Sequence, residues 1–246
     1  MFDIVGIIII VCVLISLIPA SISDYRTRTV PVSLWKPAAY VSVPLSFVVF
    51  GINVFTGVVP FDQVGILVIA ALATIAIAIF FGMINVFGGA DSIAISIIAL
   101  TTFGMGVSYI IGFLINMAII CVAIVVGVFV LNMVDRALDD IDGRWYLMFI
   151  ARRLPITSFG SYHGILLEEV WEDGDVVNRS FVRPPSRFVG NERTTSDIAK
   201  DDELMRIYGY AEKIWVMYII PFIIPITISY IVTLVYGNLL GFLFVT

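Results

Sequence analysis

The chain has 246 residues, 60 % of them hydrophobic and 13 % charged, with a formal net charge of −5. That balance is too apolar for an ordinary soluble domain, and its continuous apolar runs exclude a β-barrel, which needs alternating segments of about ten residues. What remains is an all-α polytopic membrane protein, whose spans each take about 20 apolar residues.

The first apolar run covers 2–22. It follows Met1-Phe2-Asp3 with no basic residue and exceeds a signal-peptide core in length, so a retained first span is expected rather than a cleaved leader. A polar link, 23-SDYRTRTVPVSLWK-36, leads to a second span over 38–59, where Pro44 is tolerated. Span three covers 64–87 and is followed by Gly88-Gly89-Ala90-Asp91. The apolar run from Ser92 to Val134 holds 43 residues. One helix of that length would measure about 64 Å, twice the hydrocarbon thickness. The run is therefore two spans, a short one over 92–103 and a long one over 107–134, broken at 104-GMG-106.

Residues 135–213 are hydrophilic. Within them 168-EEVWEDGDVVNRSFV-182 alternates and carries Asp173-Gly174, a hairpin signal. The run 183-RPPS-186 is a breaker, and Ser196 is a candidate cap for a helix through 197–208. A small mixed α/β domain with a short antiparallel sheet is expected here. The last span covers about 215–236, with Pro221 and Pro225 near its start. The expected organisation is six transmembrane helices: a membrane part at 1–134, a soluble domain at 135–213, and a last helix with the C-terminus at 214–246.

The cations fix an orientation. Of 14 Lys and Arg, three (Arg26, Arg28, Lys36) lie in the first link and 11 in 135–213. With six spans these segments and the Asp91 link share one face, and the opposite face carries no cation. By the positive-inside rule the basic face is cytoplasmic and both termini lie outside.

Of 19 acids, 15 lie in 135–213. Asp3 and Asp62 sit at outer ends. Asp24, at the end of span one, and Asp91, between spans three and four, share the cytoplasmic face. An acid at a membrane boundary can simply mark where a helix leaves the lipid, but one beside a span is also a functional candidate. Two close carboxylates cannot both ionise readily and share a proton. The ionised one can then activate a water while the protonated one polarises a peptide carbonyl. Other hydrolase chemistries lack their residues. The single histidine, His163, lies in the hydrophilic domain, without a HExxH motif or a nucleophile elbow. Cys12 and Cys121 lie in apolar runs and are expected as small buried residues.

At these residues the chain resembles the archaeal preflagellin peptidases, relatives of type IV prepilin peptidases among the GxGD membrane aspartyl proteases. The matching pieces are 24-DYRTRTVP-31, 88-GGAD-91 and 214-IWVMYIIPFIIPITISYIVT-233, together with the six-span layout. The resemblance implies cleavage of short positively charged leaders from preflagellin or prepilin-like precursors of the archaeal flagellum or related pili, at the cytoplasmic face. It assigns Asp24 and Asp91 as the catalytic pair, with Gly88, Gly89 and Ala90 as the supporting motif. It calls for no metal, cofactor or nucleic acid. No cysteine-rich methylation motif is present, so peptidase activity alone is expected. The soluble domain, 11 basic against 15 acidic residues, is net −4 and suits a basic leader, though a merely solvated surface accounts for it equally.

Two positions depart from the family pattern. Ala90 stands where the motif has its second glycine, an unfavourable exchange if that backbone is left-handed. Ile93 stands where the family often has lysine. Arg26 and Arg28 either anchor span one at the headgroups or serve as second-shell or substrate contacts. Two rival readings stay open: an ion- or proton-coupled transporter built on the acids, and an inactive member that binds precursors without cutting them.

Overall fold

The structure, a computed structural model, describes residues 4–83, 88–135, 144–161, 164–173, 176–181, 195–209, 211, 213–218 and 221–239. In chain order, helix α1 covers Ile4–Thr27. A 3₁₀ turn at Val32–Trp35 and a π turn at Ala38–Ser42 lead into α2, Val43–Phe55. Helix α3 covers Phe61–Met83 and α4 covers Gly89–Thr101. A further 3₁₀ turn, Thr102–Gly104, precedes α5, Val107–Val134. Then come α6 (Leu147–Ile150), β1 (Ala151–Pro155), β2 (Gly164–Leu166), β3 (Glu168–Asp173) and β4 (Val176–Phe181). The chain continues through α7 (Thr195–Ile198), α8 (Asp202–Gly209), β5 (Lys213–Tyr218) and α9 (Ile223–Tyr236). These elements form two compact units, Met1–Cys121 with Pro221–Thr246, and Val122–Ile220.

Four apolar segments are long enough to cross a membrane: Ile4–Thr27, Val32–Phe55, Phe61–Met83 and Ser108–Val134. The fourth span, expected to be short, is α4 with 13 residues, and the last, expected over about 215–236, is α9 with 14; each is about 20 Å at 1.5 Å per residue. The break expected at 104–106 is present, and Gly106 takes a left-handed φ of 93° there, a conformation that needs no Cβ.

The first unit is packed through small residues and hydroxyls, as helices in lipid often are, around large buried side chains such as Leu17, Ile98, Phe113 and Tyr230. Ala20, Ala38, Ala78 and Ala94 are almost wholly buried. Serines staple the helices: Ser42 donates to the Ile9 carbonyl at 3.1 Å and Ser46 to that of Thr101 at 3.0 Å, and Ser16 accepts from the Ala38 amide at 3.2 Å. Other large apolar side chains face outward, Phe55 at 95 % and Ile69 at 69 % exposure. Cys12 and Cys121 are unpaired and only partly buried on these helices, a correction to the expectation of buried thiols.

The second unit holds a three-stranded antiparallel sheet, β1-β5-β2, and a two-stranded one, β3-β4. The β3-β4 pair is the expected hairpin; its register closes at Asp173↔Val176. Gly174, the 183–186 breaker and His163 fall outside the described residues.

Two expectations are corrected here. The last helix begins at Ile223, not Trp215, because Lys213–Tyr218 is the central strand β5. Trp215 packs with Leu147, Met148 and Leu167 on one face, and Ile214 and Val216 pack with Leu154, Phe159 and Tyr208 on the other. A strand covered on both faces reads as a continuous apolar run, and here it merges with the helix that follows. The helix expected through 197–208 is two pieces, α7 and α8. Asp201 interrupts it, its Oδ1 accepting from the Glu203 and Leu204 amides at 3.0 and 3.1 Å. That is an N-cap for a new helix.

Candidate active site

Asp91 sits in the first turn of α4, not in a link, and is 8 % exposed. Gly88, extended at φ −67° and ψ 156°, is the N-cap of that helix. The Gly88 amide donates to Asp91 Oδ2 at 2.8 Å, while the Asp91 and Ser92 amides donate to the Gly88 carbonyl at 3.1 and 3.2 Å. A carboxylate reaching back to the N-cap amide is the acidic half of a capping box, and the positive helix terminus favours its charge. A Cβ on Gly88 would lie 3.1 Å from Asp91 Oδ2, so glycine leaves room for that hold.

Gly89 has open space where a Cβ would be. Ala90 lies in the helix and packs partly buried against the core of the first unit. Its φ is not positive; among the described residues only Arg28 and three glycines have positive φ. The departure from the Gly-x-Gly-Asp pattern therefore carries no backbone strain. Ile93 is 38 % exposed on α4.

The turn of α4 next to Asp91 is held against α3. The Ser92 hydroxyl donates to the Ala78 carbonyl at 2.8 Å, and a Cβ on Gly82 would stand 2.5 Å from that hydroxyl. Gly82→Val is expected to force α3 and α4 apart, lowering stability in detergent by about 1–3 kcal/mol, measurable by thermal unfolding; Gly82→Ala is expected to have a smaller effect.

Asp24 lies in the last turn of α1 and is partly exposed. Its Oδ2 accepts from the Ile223 amide at 3.4 Å. Ile223 opens α9, and the same helix is tied to α1 by the Ser21–Thr227 hydroxyl pair at 2.8 Å. The far end of α9 is fixed by Asn116, fully buried, which donates to Thr233 Oγ1 at 2.9 Å and to the Gly237 carbonyl at 2.7 Å. This role of α9 was not read from the sequence. Pro221 and Pro225 carried a signal for it, since proline favours the first turn of a helix and so marks where free amides point.

Arg28 ends α1 as a left-handed cap with φ 56°, its amide donating to the Asp24 carbonyl at 3.1 Å. That position usually takes glycine. The Arg28 charge acts on the Asp24 carboxylate, whereas Arg26 is exposed. Removing a cation interaction of about 1 kcal/mol changes a rate about fivefold. If Asp24 takes part in peptide cleavage, Arg28→Ala is therefore expected to slow it about fivefold, and Arg26→Ala to change it less than about twofold, read as kcat/KM.

Asp91 is buried, its carboxylate is held by the Gly88 amide, and the charge of Asp24 acts on it. The two carboxylates thus sense each other within the first unit. Two carboxylates that share a proton offer both the base and the acid that work on a polar bond requires.

Residues 143–239 match the family described as Archaeal Peptidase A24 C-terminus Type II. The matched stretch contains α9, whose first amide reaches Asp24, but neither of the helices that carry the aspartates. No curated protein matches the chain.

Proposed function

We propose, from the match of residues 143–239 to the archaeal peptidase A24 C-terminal family, that this chain is a multi-pass membrane aspartyl endopeptidase of the preflagellin and prepilin peptidase class. It removes short, positively charged leaders from preflagellin or prepilin-like precursors at the cytoplasmic face. The observation that carries this reading is the buried Asp91 carboxyl, held by the Gly88 amide and opposed by the charge of Asp24.

Asp24 and Asp91 act as a pair that holds one proton. The ionised carboxylate accepts a proton from water as the water oxygen attacks the scissile carbonyl. The protonated one donates a hydrogen bond to that carbonyl and later delivers a proton to the leaving amine. Roles are not divided between the two, because a coupled pair titrates as a unit. Gly88 and Gly89 bring no side chain of their own to the approach to Asp91, which suits an extended peptide. All six apolar helices cross the membrane in this reading, α4 and α9 as short spans among their neighbours. Residues 135–213 face the cytoplasm and both termini lie outside, as the cation distribution favours.

Losing the shared proton leaves both carboxylates charged. Cleavage is therefore expected to fall on the alkaline side, seen as the alkaline limb of kcat/KM. To test the substrate class, the protein in proteoliposomes is given a precursor with a basic leader and the same precursor with its leader Lys and Arg changed to Gln. The reading expects a leader-sized loss of mass from the first and a raised KM for the second. Intact precursor, with proton flux that depends on Asp91, would replace it with the transporter reading.

A further inference from the structure

Helix α5 has 28 residues, about 42 Å of helix. A helix entering at one hydrocarbon boundary leaves the other after about 20 residues, so the last turns of α5 reach the headgroup layer. Those turns stay apolar and outward-facing: Val130, Leu131, Met133 and Val134 are 45–74 % exposed.

The segment after α5 is docked on these turns. Buried Asn132 donates from Nδ2 to the Met148 carbonyl at 2.9 Å and to that of Ala151 at 2.6 Å. Phe149 stacks on Phe129 with centroids 4.6 Å apart, and Trp145 meets Phe149 edge-on at 6.1 Å. Leu147 and Met148 turn inward, to the core around Trp215. Trp145, Tyr146 and Ile150 turn outward at 67, 42 and 44 % exposure. Arg144 adds a cation, its guanidinium 4.4 Å above the Phe181 ring.

We propose that Trp145, Tyr146 and Ile150, continuous with the exposed end of α5, form a membrane-interfacial platform that seats the second unit in the phospholipid headgroup layer. The chemistry of the residues selects this occupant. Trp and Tyr have an apolar body and a polar tip, and they gather where hydrocarbon meets water. The patch also begins where an apolar span ends, so the surface that covers α5 extends onto it.

The test reads Trp145 in the full chain. Protein in phosphatidylcholine–phosphatidylglycerol vesicles is compared with Trp145→Phe, and the difference in emission is assigned to Trp145. The proposal expects this emission to be quenched by lipid brominated near the headgroup, about threefold less by lipid brominated near the chain end, and little by aqueous iodide. Strong iodide quenching without lipid quenching would overturn it, as would protection from both, which would mean a protein partner. If Trp145→Phe fails to fold, Trp145→Tyr is read in the same way.

Discussion

Asp91→Asn and Asp24→Asn are each expected to reduce leader cleavage by about 10³-fold or more, with the fold retained. Acid–base groups in the transition state contribute about 10²–10⁴ in rate, and a pair acting as a unit loses nearly all of that when either member goes. Asparagine keeps the size and polarity of aspartate. At position 91 its side-chain carbonyl can still accept from the Gly88 amide, and at position 24 it can still face the Ile223 amide. Loss of activity with an unchanged circular dichroism spectrum and elution volume in detergent supports chemical roles for both. Full activity in either variant would remove that residue from the pair.

The second prediction runs opposite in sign. Asp91→Asn is expected to raise thermal stability near neutral pH. The Asp91 side chain is buried, and a carboxylate kept from water costs free energy that a neutral amide of the same shape avoids, about 1–3 kcal/mol. Melting curves of wild type and Asp91→Asn should separate near neutral pH, with the variant higher, and converge in acid, where a carboxyl is protonated. Equal melting temperatures at all pH values would show that Asp91 carries no strained charge. A residue whose charge costs stability but whose loss ends activity is the pattern expected where function is placed against folding.

Much of the fold was legible from apolar run lengths. The break at 104–106 followed from the length limit of one span, and Gly106 supplies the left-handed turn there. Asp173-Gly174 signalled the β3-β4 pairing. The start of the last helix was misread because β5 is apolar on both faces and runs into α9 with no polar residue between them, so periodicity had nothing to detect. Neither the burial of the Asp91 side chain nor its helical setting was read from the sequence, since Gly-Gly-Ala reads as a turn. The contact of Asp24 with the amide of Ile223, 199 positions away, depends on tertiary packing and had no local signal beyond the two prolines.

The central claim is that this pair of aspartates cuts a leader from a precursor. Mass spectrometry of a basic-leader precursor after incubation with the purified protein tests it most directly, with wild type, Asp24→Asn and Asp91→Asn run side by side. The account predicts one leader-sized loss of mass with wild type and intact precursor with either variant. An intact precursor with wild type, or the same product from all three proteins, would contradict it.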